Sequence, residues 1–194
     1  MAIALWWPVF LICVAVLWGI ARIFYMHRAN GVKVLSFLSR PQTLQERSLA
    51  VLGLVVDIYL ILRPVYPAID QNIYVVAFIP QAFGLVVMTM GIALMIICQA
   101  YMGHAWRIGV PTEREDGQHV VQSGPFRFSR NPIYLGLMLF LLGTLLLLPG
   151  PLTVIVFTLS ASLTNTLIKS EEAFMQKSFG QEYTDYCQRV RRWF

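Results

Sequence analysis

The chain has 194 residues, of which 57% are hydrophobic and only 13% are charged, and its formal net charge is +5. The mean hydropathy of +0.64 is far from that of soluble globular domains, so the composition excludes an ordinary water-soluble protein. The positive charge is divided among several short segments, which favours attraction to anionic lipid headgroups and argues against a nucleic-acid partner.

Five apolar segments follow one another along the chain, and each is a candidate membrane span. They cover residues 5–24, 49–66, part of 75–101, 133–148 and 152–168. The first has about the length needed to cross, and the last two cross if flanking residues reach the interface. No basic region precedes the first segment and no small-residue cleavage site follows it, so we expect a retained span. We predict one all-α membrane domain over residues 1–194, a bundle of about five transmembrane helices.

The basic residues indicate how the chain is oriented. Lys and Arg lie between the first and second apolar segments, between the third and fourth, and after the fifth, whereas residues 67–74 and 149–151 have none. By the positive-inside rule, this pattern predicts an N-terminus outside and a C-terminus in the cytoplasm. We therefore expect a multi-pass integral membrane protein, of the inner membrane if the source is bacterial.

The fourth and fifth apolar segments form a predicted helical hairpin, because Pro149-Gly150-Pro151 between them favours a tight turn. At about 1.5 Å per residue, each arm runs roughly 25 to 30 Å, so the start of the first arm and the end of the second return to a similar depth. Residues 130–136 and 169–172 should therefore be neighbours at one membrane surface.

The start of this hairpin has the features of an anion site. Asn131 is a predicted N-cap and Pro132 suits the first helical position, so free N–H groups and the helix dipole favour an anion there. Arg130 can hold a carboxylate or phosphate in a forked contact, and Gly136 leaves room for a ligand or another backbone to approach. Glu171 and Glu172, within reach, suit hydroxyl or ammonium groups, although a salt bridge between interfacial anchors is an equally weighted alternative.

Two polar stretches flank the hairpin. Residues 103–130 form a long loop with a charged tip at 113–117, and loops of this length usually cover a site. Residues 171–194 form a tail with aromatic residues among charges, which favours surface helices broken near Gly180 that close over the hairpin.

The remaining polar residues give weaker signals. The three cysteines and three histidines have no metal-ligand spacing, so we expect no metal site. Asp57 lies inside the second apolar segment, where a charge is costly. It can pair with Arg63 or with a polar group such as Gln99, or it can touch substrate.

Four short runs resemble the isoprenylcysteine carboxyl methyltransferase and phospholipid methyltransferase superfamily. They are Gly124-Pro125-Phe126, Ser129-Arg130-Asn131-Pro132-Ile133-Tyr134-Leu135-Gly136, Glu171-Glu172 and Phe179-Gly180-Gln181-Glu182-Tyr183. The resemblance covers about residues 95–192, and residues 103–109 look like the segment that opens the family's cofactor loop. It implies that this half of the chain binds S-adenosylmethionine in a pocket on the cytoplasmic side, between the last helices and the connecting loop.

The resemblance also implies roles for individual residues. His119, Val120 and Val121 would line the adenosine region with Phe126 nearby, and Asn131, Pro132, Ile133 and Tyr134 would hold the amino-acid end. Gly136 is also a predicted cofactor-binding residue. Glu171 and Glu172 would reach the cofactor or the acceptor, and with Arg130 they are the predicted catalytic residues. Methyl transfer needs mainly positioning of donor and acceptor, while an ammonium acceptor must first lose a proton, which a glutamate can take.

Two departures from the family pattern concern the acceptor. Isoprenylcysteine enzymes usually have histidine where this chain has Asn131, and arginine where it has Leu167. The expected acceptor is therefore a lipidic or small hydrophobic molecule, with carboxylate, amine and thiol all open. The alternatives are an NADPH-dependent reductase of the sterol and steroid type, which has a similar Arg-His-Pro-x-Tyr-x-Gly string, and a non-catalytic membrane scaffold or carrier. Asn131 and the paired glutamates argue against the reductase.

Overall fold

The structure is a computed structural model that describes residues 2–30, 42–70, 81–106 and 119–193. Its α-helices are α1 (Ala2–Asn30), α2 (Leu44–Leu62), α3 (Gln81–Met102), α4 (Pro132–Leu147), α5 (Pro151–Phe179) and α6 (Gln181–Arg189). Short 3₁₀ turns cover Pro67–Asp70, Gly103–Ala105 and Gly124–Arg127. These ranges contain no strand, which confirms the predicted all-α class. The predicted start of the third span, at 75–80, and the loop tip at 113–117 lie outside the described residues.

Length and hydropathy identify the helices that can cross a membrane. Within the described ranges, α1, α3 and α5 are long and apolar enough to span, and α4 is a shorter apolar helix. Many large apolar side chains of α1, α2, α3 and α5 are exposed on the bundle surface, as expected where lipid replaces water. The chain is a membrane helical bundle.

The fifth apolar segment is longer as a helix than predicted. α5 continues to Phe179 instead of ending near residue 168, because the polar residues that follow are mostly good helix formers. Glu171 and Glu172 therefore lie within a helix and not at its end. α5 stops at Gly180, whose φ of 53° is a conformation that glycine adopts readily, and α6 starts directly after it. The predicted break near Gly180 is confirmed.

α3 and α4 pack more closely than any other pair of described helices, and glycines make this possible. A Cβ added to Gly91 would lie 2.6 Å from the carbonyl oxygen of Gly136, and one added to Gly84 would lie 2.9 Å from that of Gly143. The pairing of 84 with 143 and 91 with 136 makes the two helices antiparallel. Small residues at such an interface let two backbones approach, which is a common basis of helix association in membranes.

α1 runs parallel to α3 and is joined to it by polar contacts near the carboxyl ends of both helices. Trp18 Nε1 donates to Gln99 Oε1 at 2.8 Å, and the Arg22 guanidinium donates to the carbonyls of Gln99 and Gly103 at 2.8 and 2.7 Å. Trp18 thus occupies the amide oxygen of Gln99, and among the described residues no hydrogen bond joins Gln99 to Asp57, so that suggested pairing is wrong.

Arg63 also has a different partner from the one considered. Its Nε donates to Asp70 Oδ2 at 2.6 Å, and it donates to the carbonyl of Ala4 at 3.0 Å. The suggested pairing with Asp57 is wrong because residues six apart on a helix lie on different faces. Tyr59 donates to the other oxygen of Asp70 at 2.6 Å, so a buried polar cluster joins α2 to the start of α1.

The predicted hairpin is confirmed. α4 ends at Leu147 and α5 begins at Pro151, so the turn between them is very short. The Thr153 hydroxyl fixes it by donating to the carbonyl of Leu148 at 2.6 Å and accepting from Gly150 N at 3.2 Å. Because the apolar parts of the two arms are nearly equal in length, the first turn of α4 lies beside the polar C-terminal third of α5.

Candidate functional site

A cavity of about 190 Å³ lies at one end of the hairpin, beside the first turn of α4 and the polar part of α5. Its wall is formed by residues 119–134, the polar part of α5, α6 and the end of α3. Every predicted site residue except Gly136 is on this wall: His119, Val120, Val121, Phe126, Arg130, Asn131, Pro132, Ile133, Tyr134, Glu171 and Glu172. The fold therefore brings together segments about forty to sixty residues apart, as the hairpin lengths predict.

Gly136 lies elsewhere, and its predicted place in the cofactor site is not supported. A Cβ at this position would meet Met95 Cγ at 2.7 Å and the carbonyl oxygen of Gly91 at 2.8 Å. The close approach that the glycine allows is therefore to α3 and not to a ligand. The alternative of backbone contact, which the sequence left open, describes the structure.

Asn131 occupies the N-cap position but does not cap the helix with its side chain. Its Nδ2 donates to the carbonyl of Arg192 at 3.2 Å, and no side-chain bond reaches the first turn of α4. The predicted side-chain cap is wrong, because a bond to the tail replaces it. Pro132 begins α4 as predicted, and the Ser129 hydroxyl accepts from Asn131 N at 3.1 Å.

Glu171 is held by a tyrosine. The Tyr134 hydroxyl donates to Glu171 Oε1 at 2.6 Å, which joins the first turn of α4 to α5 across the cavity wall. The bond restricts the rotamer of the carboxylate and satisfies one of its two oxygens. The second oxygen is the acceptor that this side chain can offer to a ligand.

Glu172 lies between two arginines. Its Oε1 is 3.3 Å from a terminal nitrogen of Arg130 and accepts from Arg192 Nε at 3.1 Å, while its Oε2 accepts from a second Arg192 nitrogen. Through these hydrogen bonds and its charge, Glu172 raises the pKa of Arg192 above its usual value. Arg130 Nε is buried and has no partner among the described residues. The cluster holds two cations and one anion, with an unused donor on the cation that lines the cavity.

α6 covers the segment before α4. Glu182 Oε1 accepts from Val120 N at 2.9 Å, and the Tyr186 hydroxyl donates to the carbonyl of Phe126 at 2.7 Å. Burial raises the pKa of Tyr186 to about 12, so this phenol stays a neutral donor at physiological pH. At these contacts the tail closes over the segment that precedes the hairpin.

Sequence reasoning missed several residues of the cavity wall. They are Met102, Ala105, Phe174, Met175, Phe179, Tyr183 and Tyr186. The aromatic residues of the tail were a usable signal, since they recur on one face among charges, and they were interpreted only as a surface cover. Arg192 gave no signal, because an arginine beyond the last helix is indistinguishable from other basic residues near it.

Comparison with known proteins identifies the family. The sequence profile of the phospholipid methyltransferase family matches residues 82–182, just over half of the chain. The chain belongs to the phospholipid methyltransferase family. The matched range contains α3, α4 and α5 and most of the cavity wall described above.

Related proteins share this region. A probable protein-S-isoprenylcysteine O-methyltransferase of Oryza sativa is 30% identical over 108 residues, which are 55% of this chain and 56% of that protein. The Saccharomyces cerevisiae protein-S-isoprenylcysteine O-methyltransferase is also 30% identical over 108 residues, 55% of this chain and 45% of that one. The Xenopus laevis protein of that name is 26% identical over 166 residues, 85% of this chain and 55% of the other. The chain thus spans about half the length of the curated relatives it matches.

A solved structure shares the fold. The eukaryotic intramembrane Ras methyltransferase ICMT, an isoprenylcysteine carboxyl methyltransferase, superposes with a TM-score of 0.61. The likeness covers 89% of this chain and 60% of that protein at 23% identity. At this identity the likeness concerns the arrangement of helices.

Proposed function

We propose that this protein is a membrane methyltransferase that takes its methyl group from S-adenosylmethionine. The acceptor is a lipidic or small hydrophobic molecule at the cytoplasmic face of the membrane. The observation that carries the proposal is the cavity, because its wall joins an apolar part to a cluster of charged groups on the segments that match the family. The names of the relatives support the same reaction class.

The residues of the cavity fit the chemistry of this donor. Val120, Val121 and Phe126 offer the apolar surface that an adenine requires. Arg130 on the cavity wall suits a carboxylate, and the second oxygen of Glu171 suits an ammonium or a ribose hydroxyl. When bound, S-adenosylmethionine supplies an electrophilic methyl group on a sulfonium.

The protein contributes mainly position and exclusion of water. In-line methyl transfer gains most of its acceleration from holding donor and acceptor within about 3 to 3.5 Å, and the apolar wall and the covering α6 serve that purpose. Glu171 is the candidate proton acceptor if the methyl acceptor is an ammonium, because among the described residues only Tyr134 donates a hydrogen bond to it. Both oxygens of Glu172 are already engaged by arginines, so they are less accessible to a proton of the acceptor.

The first experiment measures ligand binding to the purified protein in detergent. S-adenosylhomocysteine at a hundredfold excess over its dissociation constant should stabilise the folded state by about 2.7 kcal/mol and raise the melting temperature. Stabilisation by NADPH alone would instead favour the reductase, and stabilisation by neither ligand would favour a scaffold. Labelled S-adenosylmethionine with a total lipid extract then identifies the molecule that gains the methyl group.

Variants test whether this cavity is the donor site. Arg130→Lys removes the forked donor and Glu171→Gln removes the charged acceptor, so each should weaken S-adenosylhomocysteine binding by about 1.5 to 3 kcal/mol. Lys169→Gln is the control, because it removes a charge from an exposed side chain of α5 that does not line the cavity. Equal affinities for all three variants and the wild type would show that the donor binds elsewhere.

A further inference from the structure

Residues that follow α6 bind the segment immediately before α4 through their backbone carbonyls. The carbonyl of Arg191 accepts from Arg130 N at 3.0 Å. The carbonyl of Arg192 accepts from the Ser129 hydroxyl and from Asn131 Nδ2, both at 3.2 Å. Three consecutive residues before α4 thus bind two consecutive residues of the tail, and these bonds fix the backbone from which the Arg192 side chain projects.

This position places the Arg192 guanidinium on Glu172. Arg192 donates to both carboxylate oxygens, whereas Arg130 reaches only Oε1, at 3.3 Å. Two guanidinium groups thus share one carboxylate, and the better hydrogen-bonding geometry belongs to Arg192. Arg130 keeps an uncompensated share of its positive charge, and its Nε has no partner among the described residues.

The consequence concerns the balance of charge in the cavity wall. If Arg192 lost its charge, Glu172 and Arg130 would form a simple neutral pair, and the carboxylate could turn to take a forked contact from Arg130. The cation that lines the cavity would then be satisfied within the protein and less available to an anionic ligand. Arg192 itself is not among the residues that line the cavity.

We propose that Arg192 is a positioning residue that holds Glu172 away from Arg130 and so keeps Arg130 available for the carboxylate of the methyl donor. The inference rests on the proposed function, since it assigns the donor's amino-acid end to Arg130. It adds a residue beyond the range that matches the family profile.

Two ligands separate this role from a merely structural one. S-adenosylhomocysteine has the amino-acid end, whereas 5′-methylthioadenosine has the same adenosine and thioether without it. Arg192→Gln should weaken S-adenosylhomocysteine binding about tenfold, the effect of losing one charge-assisted contact, and change methylthioadenosine binding less than about twofold. Arg192→Lys restores the charge without the fork and should recover part of the loss.

The matched control is Arg191→Gln, which removes the same charge from the neighbouring exposed side chain and leaves the backbone carbonyl in place. Its affinities for both ligands should equal those of the wild type. A double-mutant cycle gives the second test, because Arg192→Gln should have no further effect on S-adenosylhomocysteine binding once Glu172→Gln has removed the carboxylate.

Several results would overturn the inference. An equal loss of affinity for both ligands would assign Arg192 to folding alone, and unchanged affinity for S-adenosylhomocysteine would leave it without a role in the site. Additive effects of Arg192→Gln and Glu172→Gln on S-adenosylhomocysteine affinity would exclude action through Glu172. If Arg192→Gln does not fold, the same comparison can be made with Arg192→Lys. A wild-type protein that binds neither ligand would refute the proposed function itself. This outcome is distinct from every difference between variants described above.

Discussion

Substituting alanine for Gly91 should destabilise the bundle although alanine is the better helix former. A Cβ at this position would lie 2.5 Å from Phe140 N and 2.6 Å from the carbonyl oxygen of Gly136, both backbone atoms of α4. Non-bonded heavy atoms are best separated by about 3.5 Å or more, so α3 and α4 must move apart by about 1 Å. Backbone atoms cannot rotate away as a side chain can, so the whole interface has to adjust. Overpacking of this kind costs about 1 to 3 kcal/mol.

The matched control for this prediction is Gly53→Ala in α2, where a Cβ would meet nothing within 4 Å. The same chemical change should there be neutral or should stabilise by up to about 1 kcal/mol through helix propensity. Both variants can be compared by thermal unfolding in one detergent, where 1 kcal/mol corresponds to roughly 2 to 4 °C for a chain of this length.

Two results would refute the reasoning about Gly91. Equal melting temperatures for the two alanine variants would mean that α3 and α4 are not in backbone contact. A lower melting temperature for Gly53→Ala than for Gly91→Ala would mean that there is no free space beside Gly53.

Two further predictions concern stability and orientation. Asp70→Asn leaves the buried Arg63 charge uncompensated and should destabilise the folded protein by about 3 kcal/mol or more. Asp185→Asn, on the exposed face of α6, should change the melting temperature little. Similar shifts in melting temperature for both variants would contradict the buried pair. A reporter fused after residue 194 should be active in the cytoplasm, because the basic segments fall on one side of the predicted topology, and activity only outside would reverse the orientation.

The neighbourhood of the site could be predicted because it depends on length and on turn chemistry. Two prolines around Gly150 require a turn, and arms of similar length then return Glu171 to the level of Tyr134. Neither conclusion needs knowledge of side-chain packing. Pro132 marks the start of α4 for a similarly local reason, since its fixed φ and missing N–H suit that position.

The direction in which residues of the apolar helices point could not be predicted in the same way. Gly136 was predicted to admit either a ligand or another backbone, and an apolar helix has no polar face that would decide between the two. The spacing of seven residues between Gly84 and Gly91, repeated between Gly136 and Gly143, was the available signal for a helix interface. This spacing indicates a helix interface only when the glycines of α3 and α4 are compared with each other.

The polar part of the chain was difficult for a different reason. The sequence after Ile168 is equally typical of an interfacial tail and of a helix that continues beyond the membrane, so the extension of α5 to Phe179 was not foreseen. The bond from Asn131 to the Arg192 carbonyl joins residues 61 apart, and local capping preferences carry no information about such a contact. Long-range polar contacts decide these positions.

The hairpin of α4 and α5 has a consequence for the order in which the molecule assembles. The contact between Tyr186 and Phe126 closes a loop of 60 residues, which in a free chain has an appreciable entropic cost. Once the two apolar arms are inserted side by side, both ends of that loop already lie at the same membrane surface, and only the short α6 has to dock. Membrane insertion therefore acts as a folding template for the cavity: the lipid bilayer orders the chain first, and a nine-residue helix completes the site afterwards.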